Sequence, residues 1–98
     1  MAEETLTRRV VICGFVQGVG YRDFARRAAR KHGVSGWVRN RMDGTVEALV
    51  SGRPVAVEAA LAELRRGPRG AEVTGVKLAE ADEAETARPG VFVILPTA

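Results

Sequence analysis

The chain has 98 residues, of which 46% are hydrophobic and 28% are charged, and its formal net charge is +3. This length predicts one domain over residues 1–98, because two halves would be too small to bury separate cores. The composition excludes an intrinsically disordered chain, and no apolar run approaches the roughly 20 residues of a membrane span. The N-terminus is acidic where a secretory signal would be basic, which favours a cytoplasmic protein.

The potential metal ligands are few. The chain has one cysteine, Cys13, and one histidine, His32. Cys13 cannot form an internal disulfide, and the pair supplies too few sulfur and nitrogen ligands for a zinc site. The sequence therefore excludes a disulfide and a zinc fold, and we expect no metal or other cofactor. The excess of positive charge lies in the first half of the chain. It favours an anionic ligand there but does not identify that ligand.

The first predicted elements are a strand and a helix joined by a glycine-rich turn. β-branched residues over 8–13, before Gly14, predict a buried strand. Apolar residues at helical spacing predict a helix over Tyr21–His32, and Gly33 is placed to end it. Two strand-like runs follow, Val34–Arg41 and Thr45–Ser51, and the Asp-Gly pair between them predicts an antiparallel hairpin.

The second half predicts one more helix and two strands. Pro54 suits the first position of a helix, which Gly67 and the following proline end. A weaker strand is predicted over Val73–Leu78, and a final strand over Val91–Leu95. Between them, the acidic run over residues 80–85 is interpreted as a solvated connection.

This order of elements predicts the fold class. Strand, helix, strand, strand, helix, strand and a short extra strand match an α+β, ferredoxin-like split βαβ sandwich, with two helices on one face of a mostly antiparallel sheet. The same architecture serves many unrelated activities, so the function depends on the site.

The glycine-rich turn is the first candidate site. Glycines between a strand and a helix allow successive backbone N–H groups to point into one concavity, and the helix N-terminus adds a partial positive charge. Arg22, at the start of the helix, can add a planar and permanently charged fork. The candidate binding residues are Val16, Gln17, Gly18, Val19 and Gly20. In the alternative interpretation, the glycines only provide the positive φ angles of a turn.

Two better-known phosphate loops do not fit this turn. No Gly-Lys-Ser/Thr follows, so the turn is not a nucleotide P-loop. Asp23 stands where the third glycine of the dinucleotide fingerprint would be. Nucleotide binding is therefore not predicted.

Asn40, at the end of the next predicted strand, is the second candidate. Its amide can donate and accept hydrogen bonds at once, which suits it to hold a water molecule. An asparagine just before a hairpin is more often a turn former, and the sequence leaves both interpretations open.

Together, the two segments resemble the acylphosphatase family. Its first motif, Gly-aromatic-Val-Gln-Gly-Val-x-aromatic-Arg, is present from Gly14 to Arg22. Its second motif, which begins Gly-aromatic-small-x-Asn, is matched by Gly36, Trp37, Val38, Arg39, Asn40, Gly44, Val46 and Gly52. The resemblance is sharp over residues 14–52 and only architectural afterwards.

The resemblance implies an acylphosphatase, a hydrolase that cleaves the carboxyl–phosphate bond of acyl phosphates to a carboxylate and inorganic phosphate. It implies that Arg22 binds the phosphate, that Asn40 orients the attacking water, and that the backbone of residues 16–20 cradles the phosphoryl group. Inorganic phosphate should then be both a product and a competitive inhibitor. A carboxylate leaving group has a pKa of about 4 and departs without a proton from a general acid, so the motifs need no catalytic His, Cys or carboxylate pair.

Two other functions compete with this one. The first is an RNA-binding ferredoxin-like module, which would stack bases on aromatic residues of the two central strands. The predicted strands over residues 8–13 and 45–51 contain no aromatic residue, so no nucleic acid partner is expected. The second is an accessory domain that processes carbamoyl phosphate. We also expect a monomer with no membrane partner.

Overall fold

The structure is a computed structural model that describes residues 4–79 and 90–98, which form seven elements. In chain order these are strand β1 (Leu6–Phe15), helix α1 (Tyr21–His32), strands β2 (Ser35–Asn40) and β3 (Val46–Gly52), helix α2 (Pro54–Arg66), and strands β4 (Glu72–Ala79) and β5 (Phe92–Ile94). The predicted acidic connection over residues 80–85 lies outside the described residues.

The strands form one sheet in the order β4-β1-β3-β2-β5. The pairs β1·β4, β1·β3 and β2·β3 are antiparallel, and only β2·β5 is parallel. Both helices pack on one face of this sheet. The prediction of a ferredoxin-like α+β sandwich with a mostly antiparallel sheet is therefore confirmed.

The core lies between the helices and the sheet and consists mainly of small and β-branched residues. Alternate residues of the central strands, such as Val10, Ile12, Ala48 and Val50, point into it. The one large aromatic side chain buried here with a polar end is Tyr21, whose hydroxyl donates a 2.7 Å hydrogen bond to the carbonyl of Leu64. A buried hydroxyl without a partner would be destabilising, so this bond fixes the start of α1 against the end of α2.

Strand β1 is longer than predicted at both ends, because it has two neighbours that pair with different parts of it. It pairs with β3 from Leu6 to Ile12 and with β4 from Arg9 to Phe15. Gly14 does not end the strand as predicted. It follows a shift of register between Cys13 and Gly14, a β-bulge that lets pairing with β4 continue.

Gly36 shows why a glycine stands inside β2. A Cβ atom at this position would lie only 1.7 Å from the carbonyl oxygen of Leu49 on β3, and the φ angle of Gly36 is +145°. Close approach of the two backbones therefore requires glycine. This packing brings β2 and β3 together at the end of their ladder opposite the hairpin, and the pairing then runs on to Asn40 and Val46.

The face of the sheet away from the helices carries a buried carboxylate. Glu47 is only 2% exposed, and its two oxygens accept hydrogen bonds from Arg9 Nη1 at 2.9 Å and Arg39 Nε at 2.8 Å. The Arg39 guanidinium also stacks over the Trp37 ring at 4.7 Å. The network connects β1, β3 and β2 across the sheet. Burial acts to raise the pKa of Glu47, but the hydrogen bonds from Arg39 and Arg9 together outweigh it, so the pKa lies below its usual value.

We expect Glu47→Gln to lower the free energy of unfolding at pH 7 by about 1–3 kcal/mol, because the two arginines lose their charged partner. A lowered pKa in the folded state contributes stability that is present above the unfolded pKa and is lost as the pH falls through the folded pKa. Melting temperatures between pH 7 and pH 3 should therefore fall less steeply for this variant than for the wild type. Glu58→Gln, at an exposed position of α2, is the control. Equal slopes for Glu47→Gln and the wild type would contradict the prediction.

Candidate active site

A cavity of about 260 Å³ opens where the loop after β1 meets the end of β2. Its walls are made by Val16, Gly18, Gly20, Tyr21, Arg22, Asp23, Asn40 and Ile94. The two predicted catalytic residues, Arg22 and Asn40, thus lie on one cavity although they are 18 positions apart in the sequence. Three of the five predicted binding residues also line it.

The start of α1 supplies backbone donors to this cavity. Gly20, the N-cap, has a left-handed conformation with φ 79° and makes no side-chain cap. The first intrahelical bond runs from Phe24 N–H to Gly20 O at 3.0 Å, which leaves the N–H groups of the first turn without helical acceptors. Among the described residues, the amides of positions 17–20 also donate to no backbone carbonyl. Residues of the loop and of this first turn line the cavity, so N–H groups without backbone acceptors among the described residues lie beside it, together with the positive end of the helix dipole.

Arg22 is partly buried in the first turn of α1. Its neighbour Asp23 also lines the cavity, but the Asp23 carboxylate is taken up by Arg26 Nη2 at 2.8 Å and Arg27 Nε at 3.1 Å. Within residues 4–79 and 90–98, no carboxylate forms an ion pair with Arg22. Its guanidinium is therefore available to an anionic ligand.

Asn40 is the last residue of β2, and its backbone is held on both sides. It pairs with Val46 of β3, and its carbonyl accepts a 3.0 Å hydrogen bond from the N–H of Ala98. Its side-chain Oδ1 is buried and has no hydrogen-bond partner among the described residues. A buried acceptor without a partner costs about 1–3 kcal/mol, so a ligand or water in the cavity would have a hydrogen bond to gain here.

Gln17 and Val19, the other two predicted binding residues, are outside the cavity wall. Val19 packs against the hydrophobic core. The Gln17 side chain turns towards the β2–β3 hairpin, where it donates hydrogen bonds to the carbonyls of Arg41 and Thr45. Any contact that these two residues make with a ligand would therefore come from the backbone.

The C-terminal residues contribute to the site in a way that the motifs do not indicate. Ile94 forms part of the cavity wall. After β5 the chain continues beside β2, with hydrogen bonds from Leu95 N–H to Val38 O at 2.9 Å and from Met42 N–H to Ala98 O at 2.8 Å. The sequence carries no local signal for these residues, because their place beside the site depends on the parallel pairing of β5 with β2.

The donor set of the site is poor in metal ligands. Over residues 4–79 and 90–98, the structure has no cluster of three His, Cys, Asp or Glu residues that could hold a metal ion.

In the same residues, neither helix has the length and apolar character needed to cross a membrane.

Fold and cavity together define a ferredoxin-like α+β domain with a concave site at a helix N-terminus. A family model described as acylphosphatase matches residues 8–94. A curated acylphosphatase of Rhodopseudomonas palustris (strain BisB18) is 49% identical over 98 residues, which cover 95% of this chain and 97% of the relative. The chain belongs to the acylphosphatase family, which confirms the resemblance of the two motifs and the prediction of an enzyme.

Solved structures agree with this assignment. The crystal structure of an acylphosphatase from Bacillus subtilis matches with a TM-score of 0.79 and 31% identity, over 94% of this chain and 99% of that one. Full-length HypF, crystallised in its phosphate- and nucleotide-bound form, matches with a TM-score of 0.84 and 26% identity. That match covers 99% of this chain but only 13% of HypF.

Proposed function

We propose that the protein hydrolyses acyl phosphates to a carboxylate and inorganic phosphate without a metal ion. Arg22 and the backbone N–H groups of residues 16–20 bind the phosphoryl group, and Asn40 orients the attacking water. The membership in the acylphosphatase family supports the reaction class. The observation that carries the division of roles is that, among the described residues, the buried Oδ1 of Asn40 has no hydrogen-bond partner and the guanidinium of Arg22, on the same cavity, has no carboxylate partner.

The proposed chemistry needs little besides charge and alignment. As the carboxyl–phosphate bond breaks, negative charge is spread over the phosphoryl oxygens, where Arg22 and the N–H groups are placed to neutralise it. Asn40 Oδ1 accepts a hydrogen bond from the water and holds it in line with the leaving group. One candidate acceptor for the proton of the water is a phosphoryl oxygen of the substrate. The carboxylate departs without protonation because its pKa is about 4.

We expect purified protein to hydrolyse benzoyl phosphate and to leave p-nitrophenyl phosphate almost untouched. A phenolate or alkoxide leaves less readily than a carboxylate, and the carboxylate of Asp23, the acid in the cavity wall, is already paired with Arg26 and Arg27. Initial rates with the two substrates at equal concentration test this selectivity. Equal turnover of both would contradict the proposed reaction.

We also expect the activity to survive EDTA. The proposed charge neutralisation comes from an arginine and from backbone N–H groups, which do not depend on a divalent cation. The measurement compares initial rates before and after chelation and dialysis. A loss of activity that Mg²⁺ or Zn²⁺ restores would refute the metal-free scheme.

The match to only 13% of the much longer HypF favours a second candidate, an accessory domain. In this candidate the substrate is carbamoyl phosphate. The same assay discriminates the two, because carbamoyl phosphate can replace benzoyl phosphate as substrate and the two kcat/KM values can be compared. A kcat/KM for carbamoyl phosphate well above that for benzoyl phosphate would favour the second candidate.

An RNA-binding function has less support from the sheet. The middle strand of the sheet, β3, contains no aromatic residue. The aromatic residue of its neighbour β1, Phe15, lies beyond the last β1–β3 pair, Ile12 with Val46. We also propose that the protein is a cytoplasmic monomer without nucleic acid or membrane partners.

A further inference from the structure

The side chain of Gln17 links the two motif segments. Its Nε2 donates a 2.8 Å hydrogen bond to the carbonyl of Arg41 and a 2.9 Å hydrogen bond to the carbonyl of Thr45. A carboxamide carries two N–H donors, and here both are used. The side chain of Gln17 therefore has no donor left for a substrate.

The two acceptors of Gln17 belong to the closing pair of the hairpin. Arg41 N–H donates to Thr45 O at 2.9 Å, and Gly44 N–H donates to Arg41 O at 3.2 Å. Gln17 thus binds the hydrogen-bonded base of the hairpin and not its exposed tip. Asn40 directly precedes this base, so the position of its side chain relative to the loop depends on where the hairpin is held.

We propose that Gln17 is a positioning residue that sets the distance between the phosphate-binding loop and the water held by Asn40. This inference rests on the proposed function. In-line attack requires water and phosphoryl group to be aligned within a fraction of an ångström, and a displacement of 1 Å can lower a rate by about 10². The loop N–H groups and Arg22 are not part of the link. Loss of Gln17 should therefore lower kcat and leave phosphate binding intact.

The test uses Gln17→Met, which keeps the length of the side chain but removes both donors, and Gln17→Glu, which keeps its shape but places a carboxylate oxygen where Nε2 donates to the two carbonyls. We expect kcat for benzoyl phosphate to fall on the order of 10-fold or more in both variants. The rise in melting temperature caused by inorganic phosphate should stay close to that of the wild type. If one variant fails to fold, as judged by circular dichroism, the other still decides the outcome.

Ser51→Ala is the matched control. It removes a 2.8 Å hydrogen bond between the hydroxyls of Ser51 and Thr7 at the far end of β3, away from the cavity. A comparable loss of stability should therefore leave its kcat within about 2-fold of the wild type. A similar fall of kcat in Ser51→Ala and Gln17→Met would show a general effect of destabilisation and overturn the proposal.

A double-mutant cycle separates positioning from an independent contribution. If Gln17 acts through Asn40, then Gln17→Met should lower kcat by no more than about 2-fold in the Asn40→Ala background. Three results would each overturn the inference. They are losses of kcat that add up fully in the double variant, a wild-type kcat in Gln17→Met, and loss of the phosphate-induced rise in melting temperature in Gln17→Met. A wild-type protein that does not hydrolyse benzoyl phosphate would instead refute the proposed function, and this inference with it.

Discussion

Arg22→Lys is expected to lower kcat for benzoyl phosphate by about 10² or more. The arginine fork can donate two parallel hydrogen bonds to phosphoryl oxygens, whereas a lysine offers one compact charge on a flexible stem. The structure leaves Arg22 partly buried and without a carboxylate partner among the described residues, so the substitution changes what the cavity offers to an anion. Removal of one preorganised donor from an oxyanion site lowers kcat by about 10²–10³.

The measurement is steady-state kinetics of Arg22→Lys beside a control on the same helix. Arg30→Lys is suitable, because Arg30 is exposed in the last turn of α1, away from the cavity. The control should keep wild-type kcat and KM. Wild-type kinetics in Arg22→Lys would contradict the prediction and show that Arg22 is an ordinary surface cation.

Asn40→Ala is expected to lower kcat by about 10² while phosphate binding is retained. Without the amide, the water loses the acceptor that aligns it, but Arg22 and the loop N–H groups remain. Inorganic phosphate that binds only the folded state raises its free energy of unfolding by roughly 2.7 kcal/mol when present at about 100 times its Kd. The rise in melting temperature with phosphate should therefore be the same in Asn40→Ala and in the wild type.

Arg22→Ala supplies the opposite pattern. It should lose both turnover and the phosphate-induced rise in melting temperature, because the charge that holds the anion is gone. If Asn40 only shapes the hairpin, Asn40→Ala will instead melt at a lower temperature and keep its turnover below that temperature. Retained turnover in Asn40→Ala, or a full phosphate response in Arg22→Ala, would show that the roles are wrongly assigned.

Local signals in the sequence located most of the elements and both halves of the candidate site. The helical period and the glycine after it placed α1 at Tyr21–His32, as the structure has it. The Asp-Gly pair located the hairpin between β2 and β3 within a residue or two of its ends. Such signals work because turn chemistry and helix ends depend on a few adjacent residues. They also made Arg22 and Asn40 the candidates for the site.

Only the tertiary structure decided how these pieces meet. Pairing with both β3 and β4 extended β1, and the parallel alignment of β5 with β2 brought Ile94 and Ala98 to the site. The same packing turned the Gln17 side chain to the hairpin and buried Glu47 between two arginines. These contacts join segments far apart in the chain, and their register depends on the whole sheet. The sequence by itself thus determined the elements and the chemistry that each could supply, whereas long-range packing determined which groups share one cavity.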